Sequence, residues 1–253
     1  LQESGKSTII NRIRSYKVGD RRSLDFGIYI NADDIAAKLR SDRCDFSDYD
    51  ILLEPLEFKH IIEGSGLLNA DFSIKQFERS VIISENTIAI NLKEVSAADK
   101  TDERVAQIIA DYLRVKLLTS EKKFSFETVF SHQGKVRFIQ RAREAGYKVY
   151  LYFVATEDPE INIYRVKKVR VKQNGHDVPE EKIRSRYYRS LDFLHEAAQY
   201  CYQVFFFDNS KDGSTEGMFA HFKLNANGEK IWDPIDEDKV PLWFYKYYSD
   251  KNQ

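Results

Sequence analysis

Gly5-Lys6-Ser7-Thr8 is a short run with chemistry of its own. In loops of the pattern G-x-x-x-x-G-K-[ST], a glycine lets successive backbone N–H groups face phosphate oxygens. The lysine sets a positive charge against the β and γ phosphates, and the hydroxyl ligates Mg²⁺. Leu1-Gln2-Glu3-Ser4-Gly5-Lys6-Ser7 supplies all of this pattern except its first glycine. That glycine, with a hydrophobic strand before it, is expected just upstream of Leu1. Gly5, Lys6, Ser7 and Thr8 are therefore the candidate ligands of ATP, with Ser7 also on Mg²⁺. Four residues are a weak match alone. The run gains weight from Ile9, Ile10, Ile13 and Tyr16 behind it, whose spacing is that of an amphipathic helix. The N-terminus of such a helix favours anions.

Asp33 and Asp34 follow the apolar run Phe26–Ile30, which reads as a buried strand. Ligands of open α/β sheets sit beyond the carboxyl ends of the strands, and a carboxylate there can take a proton from an attacking hydroxyl. Asp33 is the candidate base. Asp34 directly precedes the helix expected from about residue 34 to 40 and reads as its cap. Glu127 and Thr128 end a second strand, Phe124-Ser125-Phe126. They are candidates for holding Mg²⁺ through water or for orienting substrate, and the alternative for Glu127 is a buried acid paired with Lys6 or an arginine.

A dense basic group spans residues 165 to 189. Most of it reads as a solvated helix face. Arg165 and Arg170 follow the strand expected at 149–154, where a lid over ATP would lie, and two arginines near a transferring phosphate stabilise its charge. Asn174-Gly175-His176-Asp177-Val178-Pro179 is a turn able to hinge such a lid. His176 has no metal partner at useful spacing and reads as structural or as a lid contact.

The elements that must hold these residues alternate. Residues 102–118 carry Val105, Ile108, Ile109, Tyr112, Leu113 and Leu117 at helical spacing. Val136, Ile139, Ala142 and Ala145 mark a helix that Gly146 stops. Asp158-Pro159 and Pro179-Glu180-Glu181 start further helices, and Val204–Phe207 reads as a last buried strand before Asp208-Asn209-Ser210. The fold expected is α/β: a P-loop kinase-like, mainly parallel sheet with helices on both faces. Within a single domain over residues 1–253, an insertion or acceptor-side subdomain is expected at 42–98, a lid at 165–189 and an aromatic tail packed back at 211–253.

Composition narrows the class. Lysine plus arginine number 39 against 40 acidic residues, a net charge of −1 that argues against a protein built to grip nucleic acid. No apolar run approaches the ~20 residues that span a bilayer. Cys44 and Cys201 lie far apart without metal-ligand spacing, as expected of reduced thiols in a cytoplasmic protein.

Taken in order, Gly5-Lys6-Ser7-Thr8, Asn31-Ala32-Asp33-Asp34-Ile35, Phe126-Glu127-Thr128, Arg165-Val166, Arg170-Val171, Gly175-His176-Asp177-Val178-Pro179, Arg186-Tyr187 and Asp208-Asn209-Ser210 resemble the zeta toxin family of P-loop kinases. The resemblance covers roughly residues 1–40 and 103–210. It implies that Lys6 holds the ATP phosphates, Ser7 the magnesium, and that Asp33 activates an acceptor hydroxyl. It places Glu127 beside metal and substrate, Asp111 as an acid toward the sugar, Arg165 and Arg170 toward the phosphates, and Asn209 and Ser210 near adenine. The best-known members phosphorylate UDP-N-acetylglucosamine and are blocked by a small antitoxin protein. The chain departs from them at 42–98 and in its tail. A small-molecule kinase is the leading expectation. A nucleotide-binding switch without phosphotransfer and an inactive relative stay open.

Overall fold

The computed structural model describes residues 6–15, 17–18, 22–95, 100–170, 178–211 and 217–252; at 6–8, 12, 15, 17–18, 22–23, 169–170 and 252 it describes the backbone alone. The chain forms two compact units, Arg14–Glu127 and Thr128–Gln253 together with Leu1–Ile13.

The first element is helix α1 (Lys6–Ser15), the amphipathic helix expected behind the Gly-Lys-Ser-Thr run. Two short antiparallel strands follow, β1 (Lys17–Val18) and β2 (Arg22–Ser23). The strand expected at Phe26–Ile30 begins two residues later, as β3 (Ile28–Ile30). Gly27 sets that start. It has φ +64° and lies so close to the chain at Lys123 that a Cβ would fall 2.2 Å from the Lys123 carbonyl oxygen. The Ile28 N–H donates to that same oxygen at 3.0 Å.

Helix α2 (Ala32–Ser41) starts earlier than expected, and its cap is Asn31 rather than Asp34. Asn31 has extended backbone, and its Oδ1 accepts from the Asp33 N–H at 2.9 Å. Asp34 already lies inside the first turn, so its side chain is past the position from which a cap reaches back. Ile35, Ala36 and Leu39 turn inward.

Residues 43–90 fold into β4 (Arg43–Asp45), a 3₁₀ turn at Phe46–Tyr49, α3 (Pro55–Glu63), α4 (Ile74–Ser80), β5 (Val81–Ser84) and β6 (Thr87–Ile90). The three strands form an antiparallel sheet in the order β4-β6-β5. Ser73 and Gln76 make a reciprocal capping box at the start of α4. Then α5 (Thr101–Thr119) buries Val105, Ile108, Ile109, Tyr112, Leu113 and Leu117, as its spacing implies. It leads to β7 (Phe124–Phe126), parallel to β3 in the register Ile28↔Phe124, Tyr29↔Ser125, Ile30↔Phe126. One core joins all of this: Phe46, Phe58 and Phe77 of the 43–90 segment pack in the same cluster as Ile30, Ile35 and Tyr112. Phe58 meets Tyr112 edge-on at 4.8 Å.

The other unit opens with α6 (Gln133–Glu144), which ends at Ala145 and Gly146, the glycine at φ +85°. Strand β8 (Tyr150–Ala155) leads to α7 (Pro159–Tyr164), where Asp158 caps through the Glu160 N–H at 2.8 Å, as the Asp-Pro pair implies. A π-helical segment, Arg165–Arg170, continues it. Helices α8 (Glu180–Asp192) and α9 (Leu194–Gln199) precede β9 (Gln203–Asp208), which is parallel to β8.

Strand β9 is not the last. The tail adds β10 (Met218–Leu224) and β11 (Lys230–Trp232), both antiparallel, to give the order β11-β10-β9-β8. The sheet is mixed, and among the described residues no parallel run exceeds two strands. The architecture is α/β with mixed sheets and helices. A short helix, α10 (Leu242–Phe244), and the turn Tyr245–Ser249 bring Trp243, Phe244 and Tyr248 into the core beside Phe206 and Phe222. No helix among the described residues is long and apolar enough to cross a membrane.

Candidate functional site

The carboxyl ends of β3 and β7 gather polar groups from three elements. Alternation along β3 buries Ile30 in the core and points Tyr29 to the opposite side. The Tyr29 phenol donates to Glu127 Oε1, and Asn31 Nδ2 donates to the phenol oxygen at 3.4 Å. The Arg14 guanidinium lies 4.3 Å from the centroid of the Tyr29 ring. Burial and then Glu127 push the phenol's pKa upward, so it stays a donor at neutral pH.

Asp33 and Asp34 occupy the first turn of α2, where the helix dipole favours a negative charge. Asp33 is exposed. Asp34 feels partial burial first, then the charges of Asp33 and Glu127, and all three raise its pKa against the opposing pull of Lys38 and Arg14. Two adjacent aspartates and a glutamate thus share one electrostatic neighbourhood at the mouth of a parallel strand pair, with a tyrosine fixing the glutamate. Such a group can accept a proton from a hydroxyl brought to it.

Asp111 lies on α5 and is already engaged. Its Oδ1 accepts from Arg114 Nη2 at 2.5 Å. Arg114 is buried, and its Cζ stands 5.2 Å from the centroid of the Phe126 ring.

In the other unit the ends of β8 and β9 are tied together. The Asn209 N–H donates to the Ala155 carbonyl at 2.8 Å, and Ser210 Oγ accepts from the Glu157 N–H at 2.7 Å. The Ser210 hydroxyl therefore has a structural task in the turn expected to face adenine. Glu157 Oε1 accepts from the Leu242 N–H, and Asp208 Oδ2 from Trp243 Nε1–H, at 3.1 and 2.9 Å. Buried Tyr187 donates to the Thr156 carbonyl at 2.7 Å, which gives the Arg186-Tyr187 pair a structural reason. Among the described residues, the Thr128 hydroxyl makes a long contact, 3.5 Å, to the Val129 carbonyl. Arg165 opens the π-helical segment and is partly buried.

Of the residues expected to act, Asp33 and Glu127 come together with Asp34 in one unit. Asp111 sits in that unit paired to Arg114. Thr128, Arg165, Asn209 and Ser210 belong to the other. Gly5, the side chains of Lys6, Ser7, Thr8 and Arg170, and His176 lie outside the described residues. Among the described residues no three His, Cys, Asp or Glu side chains are grouped to hold a metal. Sequence reading passed over Tyr29 and Arg114. The signal for Tyr29 was a phenol inside an otherwise aliphatic strand run, and for Arg114 a cation at a position where the helical spacing of α5 points inward.

No family model, curated protein or solved structure matches the chain.

Proposed function

We propose that the chain is an ATP-dependent kinase that transfers the γ-phosphoryl group of Mg-ATP to a hydroxyl of a small-molecule acceptor, on a P-loop kinase-like fold of the zeta toxin kind. The observation that carries the reading is the polar group at the carboxyl ends of β3 and β7: Asp33 and Asp34 in the first turn of α2, beside a Glu127 carboxylate held by Tyr29. Ligand-binding α/β folds collect their chemistry at such strand ends. The Gly-Lys-Ser-Thr run, with a helix beginning at Lys6, adds the phosphate-binding half.

Bound Mg-ATP supplies the phosphoryl group and the metal charge that balances it. Lys6 and Ser7 hold the phosphate and metal roles that the motif assigns. Asp33 takes the proton of the acceptor hydroxyl as the acceptor oxygen bonds to the γ-phosphorus and the bond from that phosphorus to the β,γ-bridging oxygen breaks, with ADP as the leaving group. Glu127, fixed by Tyr29, orients the acceptor or a metal-bound water. Arg165 and Arg170 offset phosphate charge. A nucleotide sugar such as UDP-N-acetylglucosamine is the acceptor class to test first. An antitoxin protein over the ATP site and a cytoplasmic setting belong to the same proposal.

The test is incubation with γ-labelled ATP and a panel of nucleotide sugars. Label is expected in one acceptor. Asp33→Asn is expected to lower the rate by roughly 10²–10⁴-fold while ATP affinity persists. Lys6→Ala is expected to abolish transfer at unchanged thermal stability, since a lysine at the first position of a helix contributes little to folding. ATP binding without label in any acceptor would favour a nucleotide-binding switch.

A further inference from the structure

Arg114 is a charged side chain turned into a protein interior. Its side chain is 9% exposed. A guanidinium carries five N–H donors and cannot shed its charge. Burying such donors without acceptors costs free energy, so they are ordinarily satisfied. Among the described residues one acceptor takes a hydrogen bond from Arg114, Oδ1 of Asp111, through Nη2. The Phe126 ring lies against the guanidinium, its centroid 5.2 Å from Cζ. The other guanidinium nitrogens are not among the fully sealed polar atoms without a partner. They therefore keep a narrow opening to solvent.

A structural ion pair explains only part of this arrangement. An i, i+3 pair on one helix uses one donor and gains little from a rigid fork. Arginine differs from lysine in presenting parallel N–H groups that match an oxyanion two at a time. Here the helix supplies the counter-charge, and the aromatic ring that packs against the guanidinium belongs to Phe126, the residue directly before Glu127.

We propose that Arg114 is an oxyanion-binding residue that grips a phosphate or carboxylate group of the acceptor, with Asp111 and Phe126 holding the guanidinium for it. The acceptor is then an anion as well as an alcohol. Because Asp111 already balances the charge, the site selects by hydrogen-bond geometry more than by total charge. The role as acceptor site rests on the kinase reading; the anion site itself does not.

The experiment follows the Arg114 Nε–H resonance, assigned through bonds in the full chain, during titration with inorganic pyrophosphate and separately with malonate. The proposal expects a saturable shift with at least one of them. A shift with pyrophosphate alone assigns phosphate; a shift with malonate alone assigns carboxylate. Arg114→Lys, which keeps the charge but loses the fork, is expected to weaken that binding by about tenfold or more. An Arg114 signal that neither anion moves overturns the proposal, and so does equal affinity in Arg114→Lys. The wild-type titration needs no variant, so a misfolded Arg114→Lys leaves it decisive. No turnover is involved, so failure here is distinct from failure of Asp33→Asn to stop transfer.

Discussion

The Tyr29 phenol donates to the carboxylate of Glu127, a residue 98 positions away in the chain and brought beside it by the parallel register of β3 and β7. A hydrogen bond to a charged acceptor contributes about 1.5–3 kcal/mol net. Tyr29→Phe is expected to lower stability within that range in urea unfolding at neutral pH. The phenol's pKa is raised in the folded state, by burial first and Glu127 second. Its contribution is therefore full below the ordinary tyrosine range and is lost as pH climbs through and beyond that range. Wild-type protein should lose stability more steeply at alkaline pH than Tyr29→Phe. Parallel alkaline profiles would show that the bond does not hold in solution.

Asn31 and Asp34 divide the helix start between them in a way that mutation can separate. Asn31→Ala removes the side chain that accepts from the Asp33 N–H and is expected to cost about 1 kcal/mol. Asp34→Asn removes no cap. Its carboxyl has a raised pKa from burial, Asp33 and Glu127, so ionising it costs more in the folded state than in the unfolded one. That cost is absent when the group is protonated and grows as pH rises through the carboxylate range. Asp34→Asn should thus gain on the wild type between acidic and neutral pH. A stability loss in Asp34→Asn as large as that in Asn31→Ala would restore Asp34 as the cap.

Local signals carried much of the architecture. Asp158 before Pro159, Gly146 after a periodic run, and the Val105–Leu117 spacing each found their element because capping and burial act over a few residues. Asn31-Ala32-Asp33-Asp34 offered three capping side chains within four positions, and only backbone geometry chooses among them. Strand β10 pairs antiparallel to β9, and β11 antiparallel to β10, through contacts that a run of aromatics does not announce, so the tail read as packing material and the sheet as mainly parallel. At the site, Asp33 and Glu127 were legible as acids that end strands. The Tyr29 contact was not, because it depends on which β3 residue shares a side with Glu127 in a partner strand far along the chain. Arg114 was hidden for a related reason: charge suggests solvent, and burial beside Phe126 is a tertiary fact.

Cys44 and Cys201 are both buried, and burial pushes each thiol up to about 12. The thiolate is the reactive form. A disulfide-forming chromogenic reagent at pH 8 should therefore titrate neither cysteine in the folded chain, and both once urea has unfolded it. Rapid reaction of one thiol without urea would show that its cover opens in the native state.

Gly27→Ala tests the junction that starts β3. Gly27 has φ +64°, and its new methyl would meet the Lys123 carbonyl oxygen at 2.2 Å. That oxygen accepts from the Ile28 N–H, a backbone bond between the chain segments that carry β3 and β7. The left-handed backbone costs an alanine roughly 1–2 kcal/mol, and displacing the hydrogen bond costs about 1 more. Gly146→Ala is the control. It also has positive φ, +85°, but no atom lies within 4 Å of its added carbon, so it bears the backbone cost alone. Gly27→Ala should therefore destabilise more than Gly146→Ala in urea unfolding, and the Ile28 amide should exchange faster with solvent in that variant only. Because Tyr29 reaches Glu127 through this same register, Gly27→Ala should also reproduce the flattened alkaline profile of Tyr29→Phe. Equal losses in the two glycine variants, with Ile28 exchange unchanged, would mean that the close approach at Lys123 does not set the strand.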